Sequence, residues 1–384
     1  MNFDLTPEQM LLKDSIDRLI ASRYSSLEKR EAYRKEPLGF SEAIWAQFAE
    51  LGLLGLPFSE EDGGFGGGPV ETMVVMEALG RGLSLEPYLT TVVLGGGFLR
   101  HAGSAEQKAA YIPEIVVGNL KLALAQTERQ ARYDLADIAT TAEKTDRGYV
   151  IDGQKSLVLA GDSADLFVVS ARTSGEQRSQ YGVTLFLVDA NTPGISRRTY
   201  STQDGGRATE IEFSGTIVST DAILGPVDGG YPFLEHVIGE TIAALSAEAV
   251  GAMESLHQLT VEYLKTRKQF GVSIGSFQTL QHRAVDMLMA LEQARSMEMY
   301  AAMMVGSDNA DERRSAISAA KVQINRSARF VGQEAVQLHG GIGMTMEYIG
   351  AHYFKRLTMI ESLFGDTAHH LHQVARVGGL VAAA

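Results

Sequence analysis

The 384-residue chain contains no cysteine, which excludes a disulfide scaffold, a thiolate metal site, an iron–sulfur cluster and a cysteine nucleophile. If the protein is an enzyme, its chemistry comes from other side chains or from a bound cofactor. Basic residues are in deficit as well: 34 Lys and Arg against 47 Asp and Glu give a formal charge of −13. Such a field repels phosphate backbones and anionic lipid, so nucleic acid and membrane surfaces are poor partners. No apolar run approaches the roughly 20 residues of a spanning helix. The stretch Met1 to Arg18 is amphipathic and carries acids, unlike a secretory leader. These absences predict a soluble cytoplasmic protein without membrane insertion. Glycine is abundant, at 40 residues, and the length suggests two or three domains.

The period of the hydrophobic residues changes twice along the chain. From Thr6 to about Leu120 it is helical. Thr6-Pro7-Glu8-Gln9 has an N-cap, a proline in the first turn and a glutamine at capping-box distance, followed by Leu11, Leu12, Ile16, Leu19 and Ile20 at three-to-four spacing. From Leu122 to about Leu224 the period is two, with β-rich runs at Tyr149 to Asp152, Leu166 to Ala171, Val183 to Val188 and Ile211 to Phe213. Asp146-Arg147-Gly148 marks a hairpin, and several short strands favour a small barrel or sandwich over a parallel sheet. Beyond Pro232 the helical period returns, predicting a helix of about 50 Å to Thr266 and a last stripe that ends at Gly340-Gly341 with a left-handed C-cap. The resulting division is α+β: helical over 1–121, β over 122–230 and a helical bundle over 231–384.

Two segments stand out chemically. Arg267-Lys268-Gln269-Phe270-Gly271, with Phe277-Gln278 opening the next helix, sets an arginine beside an aromatic ring and a glycine. That combination can bind a pyrophosphate and pack a ring system. The same residues also fit a plain helix end, where Arg and Lys complement the dipole, Phe270 packs and Gly271 turns the chain. Gln337-Leu338-His339-Gly340-Gly341 lets a backbone approach a ligand closely, or simply ends a helix. Gly63 to Gly68 follows no strand and lacks a Lys-Ser/Thr, so it is neither a dinucleotide fingerprint nor a P-loop. His369, His370 and His372 lack a convincing ligand spacing and read as surface or packing histidines. No metal site is predicted.

Taken in order, these segments resemble the acyl-CoA dehydrogenase family over nearly the whole chain. The matching stretches are Leu5 to Gln9, Gly103 to Lys108 with Tyr111-Ile112-Pro113, Thr127-Glu128, Tyr263 through Gln278, and Gln337 through Gly341. The resemblance implies an N-terminal helical domain, a middle β-barrel domain and a C-terminal four-helix bundle, with FAD as cofactor and an acyl-CoA thioester as substrate. It also implies an electron-transfer flavoprotein as acceptor. A glutamate in the family removes the α-proton while hydride passes from the β-carbon to the flavin, giving the 2-enoyl product. The residues that serve the flavin of a neighbouring subunit correspond here to Arg267, Phe270, Gln278, Gln337 and Gly341.

The positions that would serve this chain's own flavin and substrate depart from the family. Its Thr-Glu-Pro-Gly-Ala-Gly-Ser-Asp reads Thr127-Glu128-Arg129-Gln130-Ala131-Arg132-Tyr133-Asp134, and its Trp-Ile-Thr/Ser reads Leu157-Val158-Leu159. The glutamate's place is taken by Gly365 in the commoner branch and by Thr241 in the other, with Ile242 replacing a common arginine. No catalytic residue is therefore assigned. The one-sided loss implies the supporting chain of an α2β2 complex completing the FAD site of a second acyl-CoA dehydrogenase subunit. Phe364 to His370 resembles the small subunit of the pimeloyl-CoA type, whose relatives act on fatty, dicarboxylic or steroid side-chain thioesters. Two alternatives stay open: a self-sufficient homotetramer using Glu240 or Asp366 as a displaced base, and a non-catalytic assembly protein of the same fold.

Overall fold

The computed structural model describes residues 4–378. Helices α1 (Pro7–Arg23), α2 (Leu27–Arg34), α3 (Glu42–Glu50), α4 (Pro69–Gly82), α5 (Gly96–Ala102) and α6 (Ala105–Val116) precede the strands. The capping box expected at Thr6 is present: Gln9 N donates to Thr6 Oγ1 at 3.2 Å and Thr6 N donates to Gln9 Oε1 at 2.9 Å. A π-helical turn, Leu89–Gly95, runs directly into α5 and is buried throughout.

The strands are β1 (Leu122–Ala125), β2 (Thr141–Thr145), β3 (Gly148–Leu159), β4 (Leu166–Arg172), β5 (Val183–Asp189), β6 (Ile195–Ser201), β7 (Arg207–Val218) and β8 (Ile223–Leu224). They form one eight-stranded sheet in the order β6-β7-β3-β2-β4-β5-β8, with β1 parallel to β4. The other pairs are antiparallel apart from a single parallel bridge between Thr141 and Arg172. The predicted hairpin joins β2 to β3 with Thr145 opposite Gly148. Alternate residues of these strands, among them Ile151, Phe167, Phe186, Ile211 and Phe213, make the apolar core of this region.

A single 36-residue helix, α7 (Tyr231–Thr266), follows. A short hairpin of β9 (Lys268–Gln269) and β10 (Val272–Ser273) leads to α8 (Gln278–Met304), α9 (Ala310–His339), α10 (Ile349–Ser362) and α11 (Thr367–Val377). The end of α9 differs from the expected left-handed cap. Gly340 has φ 60° but ψ −137°, outside the left-handed helical basin, because the chain continues into a tight turn over Gly340–Met344.

Two compact units emerge from the contacts: residues up to Tyr33, Pro69–Ser84 and from Ile242 onward in one, Arg34–Gly68 and Leu85–Thr241 in the other. In the first unit, α4 and α7 touch backbone to backbone. A Cβ on Gly80 would lie 2.0 Å from Glu248 O, and one on Gly251 would lie 1.9 Å from Glu77 O. Arg81 ties this crossing to Asp17, Glu77 and Glu254 at 2.6, 3.0 and 3.1 Å. In the second unit the charged centre is the fully buried Lys155, whose Nζ donates to Glu128 Oε1 at 2.7 Å and to Ser170 Oγ at 3.1 Å.

Candidate functional site

In the first unit the two segments singled out in the sequence end up side by side. The Tyr263 ring on α7 stacks on His339 at the end of α9, with centroids 4.6 Å apart, and His339 meets the Tyr348 ring at 4.9 Å. The Tyr348 hydroxyl and His339 Nε2 are 2.9 Å apart, while His339 Nδ1 lies 2.8 Å from Ala335 O. Burial holds this imidazole below its usual pKa. A rigid aromatic pillar thus fixes the loop after α7 against the loop after α9.

Arg267 stands exposed beyond that pillar, and its guanidinium forms no ion pair among the described residues. Phe270 and Gly271 have φ of 54° and 83°, the positive pair that a two-residue type I′ hairpin requires. Phenylalanine is costly in this conformation, and its ring is 90% exposed. Its ring neighbour is Phe277, 6.2 Å away and itself exposed. Gln278, Gln337 and Gly341 are likewise exposed, and among the described residues no atom beyond its chain neighbours lies within 4 Å of where a Cβ would stand on Gly341. Cation, aromatic ring, amides and open backbone are thus each left exposed around the two helix ends that the Tyr263–His339 contact joins.

The corresponding loops of the second unit are organised differently. Residues 127–134 adjoin the bulge in β3, where Ser156 N donates to Thr127 O at 2.8 Å and the register with β7 shifts between Lys155 and Val158. Arg132, Leu157 and Ala160 all have positive φ, at 49°, 52° and 51°. The backbone adopts shapes that favour glycine, yet it carries side chains there. Glu128 accepts from Ala139 N, Thr140 N and Gln130 Nε2 at 2.8, 3.1 and 2.8 Å in addition to Lys155. Burial alone would raise its pKa, but the Lys155 charge and these donors hold it below the carboxylate range. Burial in turn pushes Lys155 down to about 8. This loop is satisfied from within.

The positions considered for a base are all occupied by structural roles. Gly365 has φ 122°, and a Cβ there would lie 2.4 Å from His370 Nε2. The His370 imidazole fills that space, with Nδ1 3.2 Å from Ser318 Oγ and Nε2 3.1 Å from Phe364 O. Burial pushes its pKa down to about 3, which makes it a packed neutral histidine. Asp366 caps α11 by accepting from His369 N at 2.8 Å. Thr241 is completely buried and donates to Val237 O in its own helix at 2.8 Å. Glu240 accepts from Arg100 at 2.7 Å on one oxygen and faces His101 Nε2 at 2.9 Å with the other. Burial would raise it, but His101, Arg100 and His236, one turn earlier on α7, hold it far below the carboxylate range. Sequence reasoning missed this cluster because Arg100 and His101 lie more than 130 residues before His236 and Glu240; only the His236 to Glu240 spacing hinted at it.

Family models match along the chain in order: the N-terminal domain of acyl-CoA dehydrogenase over residues 6–119, the middle domain over 123–216 and the C-terminal domain over 228–379. Benzylmalonyl-CoA dehydrogenase of Aromatoleum aromaticum is 30% identical over 94% of this chain and 95% of its own length. Among solved structures, the FAD complex of PigA superposes with TM-score 0.90 at 28% identity, covering 99% of this chain and 100% of that one. The ChsE4–ChsE5 complex from Mycobacterium tuberculosis gives 0.88 at 27% identity, covering 100% of both chains. No helix among the described residues is long and apolar enough to cross a membrane.

Proposed function

The chain belongs to the acyl-CoA dehydrogenase family, and from that premise we propose that it is the supporting subunit of a heteromeric enzyme. The family consists of FAD-dependent oxidoreductases acting on the CH–CH group of acyl thioesters, and its fold is the α+β arrangement described above. Bound FAD would accept the hydride that leaves the substrate's β-carbon. The residues present fit that cofactor on one face only. Toward a flavin held by another chain, Arg267 offers a charge for pyrophosphate, Phe270 a ring, Gln278 and Gln337 amides, and Gly341 close backbone approach. Toward a flavin of its own, Arg132 stands where the family has glycine, and Leu159 replaces a hydroxyl that donates a hydrogen bond.

The observation that carries the reading is position 365, where the His370 imidazole occupies the space a glutamate side chain needs. Without a carboxylate there or at Thr241, proton abstraction from the substrate falls to a second subunit. The exposed apolar side chains Val285 and Met289, one turn apart on α8, support packing against another chain. The substrate is an acyl-CoA thioester, with bulky or dicarboxylic chains favoured by the likeness of Phe364 to His370 to the pimeloyl-CoA type. The electron acceptor is an electron-transfer flavoprotein.

Co-purification from the native source tests the proposal. A second acyl-CoA dehydrogenase chain should accompany this one with one FAD per two chains, and this chain expressed alone should retain little flavin. A yellow homotetramer with one FAD per chain, bleached by an acyl-CoA, would overturn it.

A further inference from the structure

The end of α5 and the start of α7 bring together side chains that the flavin-facing residues do not use. His236 and Glu240 are one helical turn apart on α7 and share a face. His101, near the end of α5, meets them from the other helix. His101 Nε2 is 2.9 Å and His236 Nε2 is 3.6 Å from the same atom, Glu240 Oε1. The two imidazoles stand edge to face with centroids 4.4 Å apart, and the three donor atoms lie within 4.8 Å of one another. Donors bound tetrahedrally at about 2.0–2.2 Å from one ion are separated by roughly 3.3–3.5 Å. The observed spacings bracket that value.

We propose that His101, His236 and Glu240 bind a divalent transition metal of the zinc class, with water in the fourth position. Two neutral imidazoles and one carboxylate suit Zn²⁺, Co²⁺ or Ni²⁺, whereas Mg²⁺ and Ca²⁺ take oxygen donors. A hydrogen bond from His101 alone satisfies one lone pair of Oε1, but it leaves His236 Nε2 at 3.6 Å, beyond hydrogen-bond length. A shared ion accounts for both imidazoles. Arg100 holds the other carboxylate oxygen at 2.7 Å and so orients Oε1 toward the histidines, the usual part of an outer-sphere partner. The His101 and His236 side chains are 31% and 23% exposed, which gives an ion and its water access from solvent. Bound there, the metal cross-links α5 to α7 within the second unit.

The test uses the full chain after chelator treatment, titrated calorimetrically with ZnCl₂ and, in parallel, with MgCl₂. The expected result is about one equivalent of Zn²⁺ bound, no comparable Mg²⁺ binding, and the visible absorption of four-coordinate Co²⁺ when CoCl₂ is added. Loss of even an outer-sphere partner weakens metal binding about 10- to 100-fold, and His236→Ala and His101→Ala remove a ligand outright, so each should lose the stoichiometric phase. Zinc should raise the melting temperature of the unaltered chain and not that of the double variant. The Co²⁺ spectrum is read on the unaltered chain, so the outcome does not depend on the variants folding. Absence of the equivalent, its persistence in the double variant, or equal binding of Mg²⁺ would each overturn the site.

Discussion

Two loop pairs of this chain both carry residues at positive φ and differ in what they present. Residues 127–134 with 156–160 hold positive φ at Arg132, Leu157 and Ala160; residues 267–278 with 337–341 hold it at Phe270, Gly271 and Gly340. In the first pair the shape is locked from within by the buried Glu128–Lys155 pair and its hydrogen bonds. In the second it is locked from behind by the Tyr263–His339–Tyr348 stack, while the front stays open. The difference teaches that a positive-φ loop can be held either by a buried charge pair within it or by ring packing behind it, and only the second arrangement leaves its front uncovered. Function is better read from the side chains such loops carry than from the loops themselves.

The largest effect is expected where the inward-locked loop is opened. Lys155→Ala leaves Glu128 buried without its charge partner, and breaking such a pair costs about 3–5 kcal/mol. The urea midpoint should fall accordingly, and replacing both residues with apolar ones should cost much less. A loss below about 1 kcal/mol for the single variant would mean that the pair does not hold the loop.

Arg267→Ala should do the reverse, since its guanidinium is exposed and makes no ion pair among the described residues. Stability should stay within about 0.5 kcal/mol, while the co-purified complex releases FAD more readily. A charge-assisted hydrogen bond contributes about 1.5–3 kcal/mol, so flavin affinity should drop roughly 10- to 100-fold in a dialysis or fluorescence assay. Unchanged flavin content would reduce the outward-facing residues to relics and favour a non-catalytic assembly protein.

Restoring the family's residue at a lost position sharpens the contrast further. Gly365→Glu meets both a φ of 122° and the His370 ring, so it should destabilise the chain by about 1–3 kcal/mol and confer no dehydrogenase activity on it alone. The same ring gives a pH signature. With its folded pKa pushed down to about 3 and the unfolded value near 6.5, His370 binds its proton only in the unfolded chain between those limits. Its contribution is therefore present above about pH 6.5 and is lost on acidification, at up to about 1.4 kcal/mol per pH unit. His370→Phe should flatten that part of the stability profile measured by denaturant titration. Appreciable activity of the isolated Gly365→Glu chain would show that the site can be repaired from one side.

Local signals carried most of the architecture. Thr6 with Gln9 announced α1, the two-residue turn before Gly148 announced the β2–β3 hairpin, and the unbroken stripe after Pro232 announced α7 almost to the residue. What escaped reading depends on partners distant in sequence. The π-turn at Leu89–Gly95 lies wholly in the interior, where packing overrides the weak preferences of its threonines and valines. Glu128 and Lys155 pair across 27 residues, and Arg100 and His101 reach Glu240 across 140 and 139. The segments around Arg267 and Gln337 stood out in the sequence because each is contiguous at a helix end. Their mutual placement was not, since it rests on a stack of three rings from three separate segments.

The smallest expected effect concerns the residue that makes the open loop least comfortable. A bulky side chain with φ near 54° is strained by about 1–2 kcal/mol, and an exposure of 90% means Phe270 recovers little of that by packing within this chain. Asparagine tolerates the same conformation with a local hydrogen bond. Phe270→Asn should therefore raise the stability of the isolated chain by about 1 kcal/mol, seen as a shift of the urea midpoint without a change of slope, while lowering flavin retention in the complex a few-fold. Strain accepted in the free chain and compensated only on assembly is what a residue kept for a neighbour's cofactor should show. If the variant instead destabilises the isolated chain, the ring works within this subunit, and the contrast between the two loop pairs loses its outward-facing half.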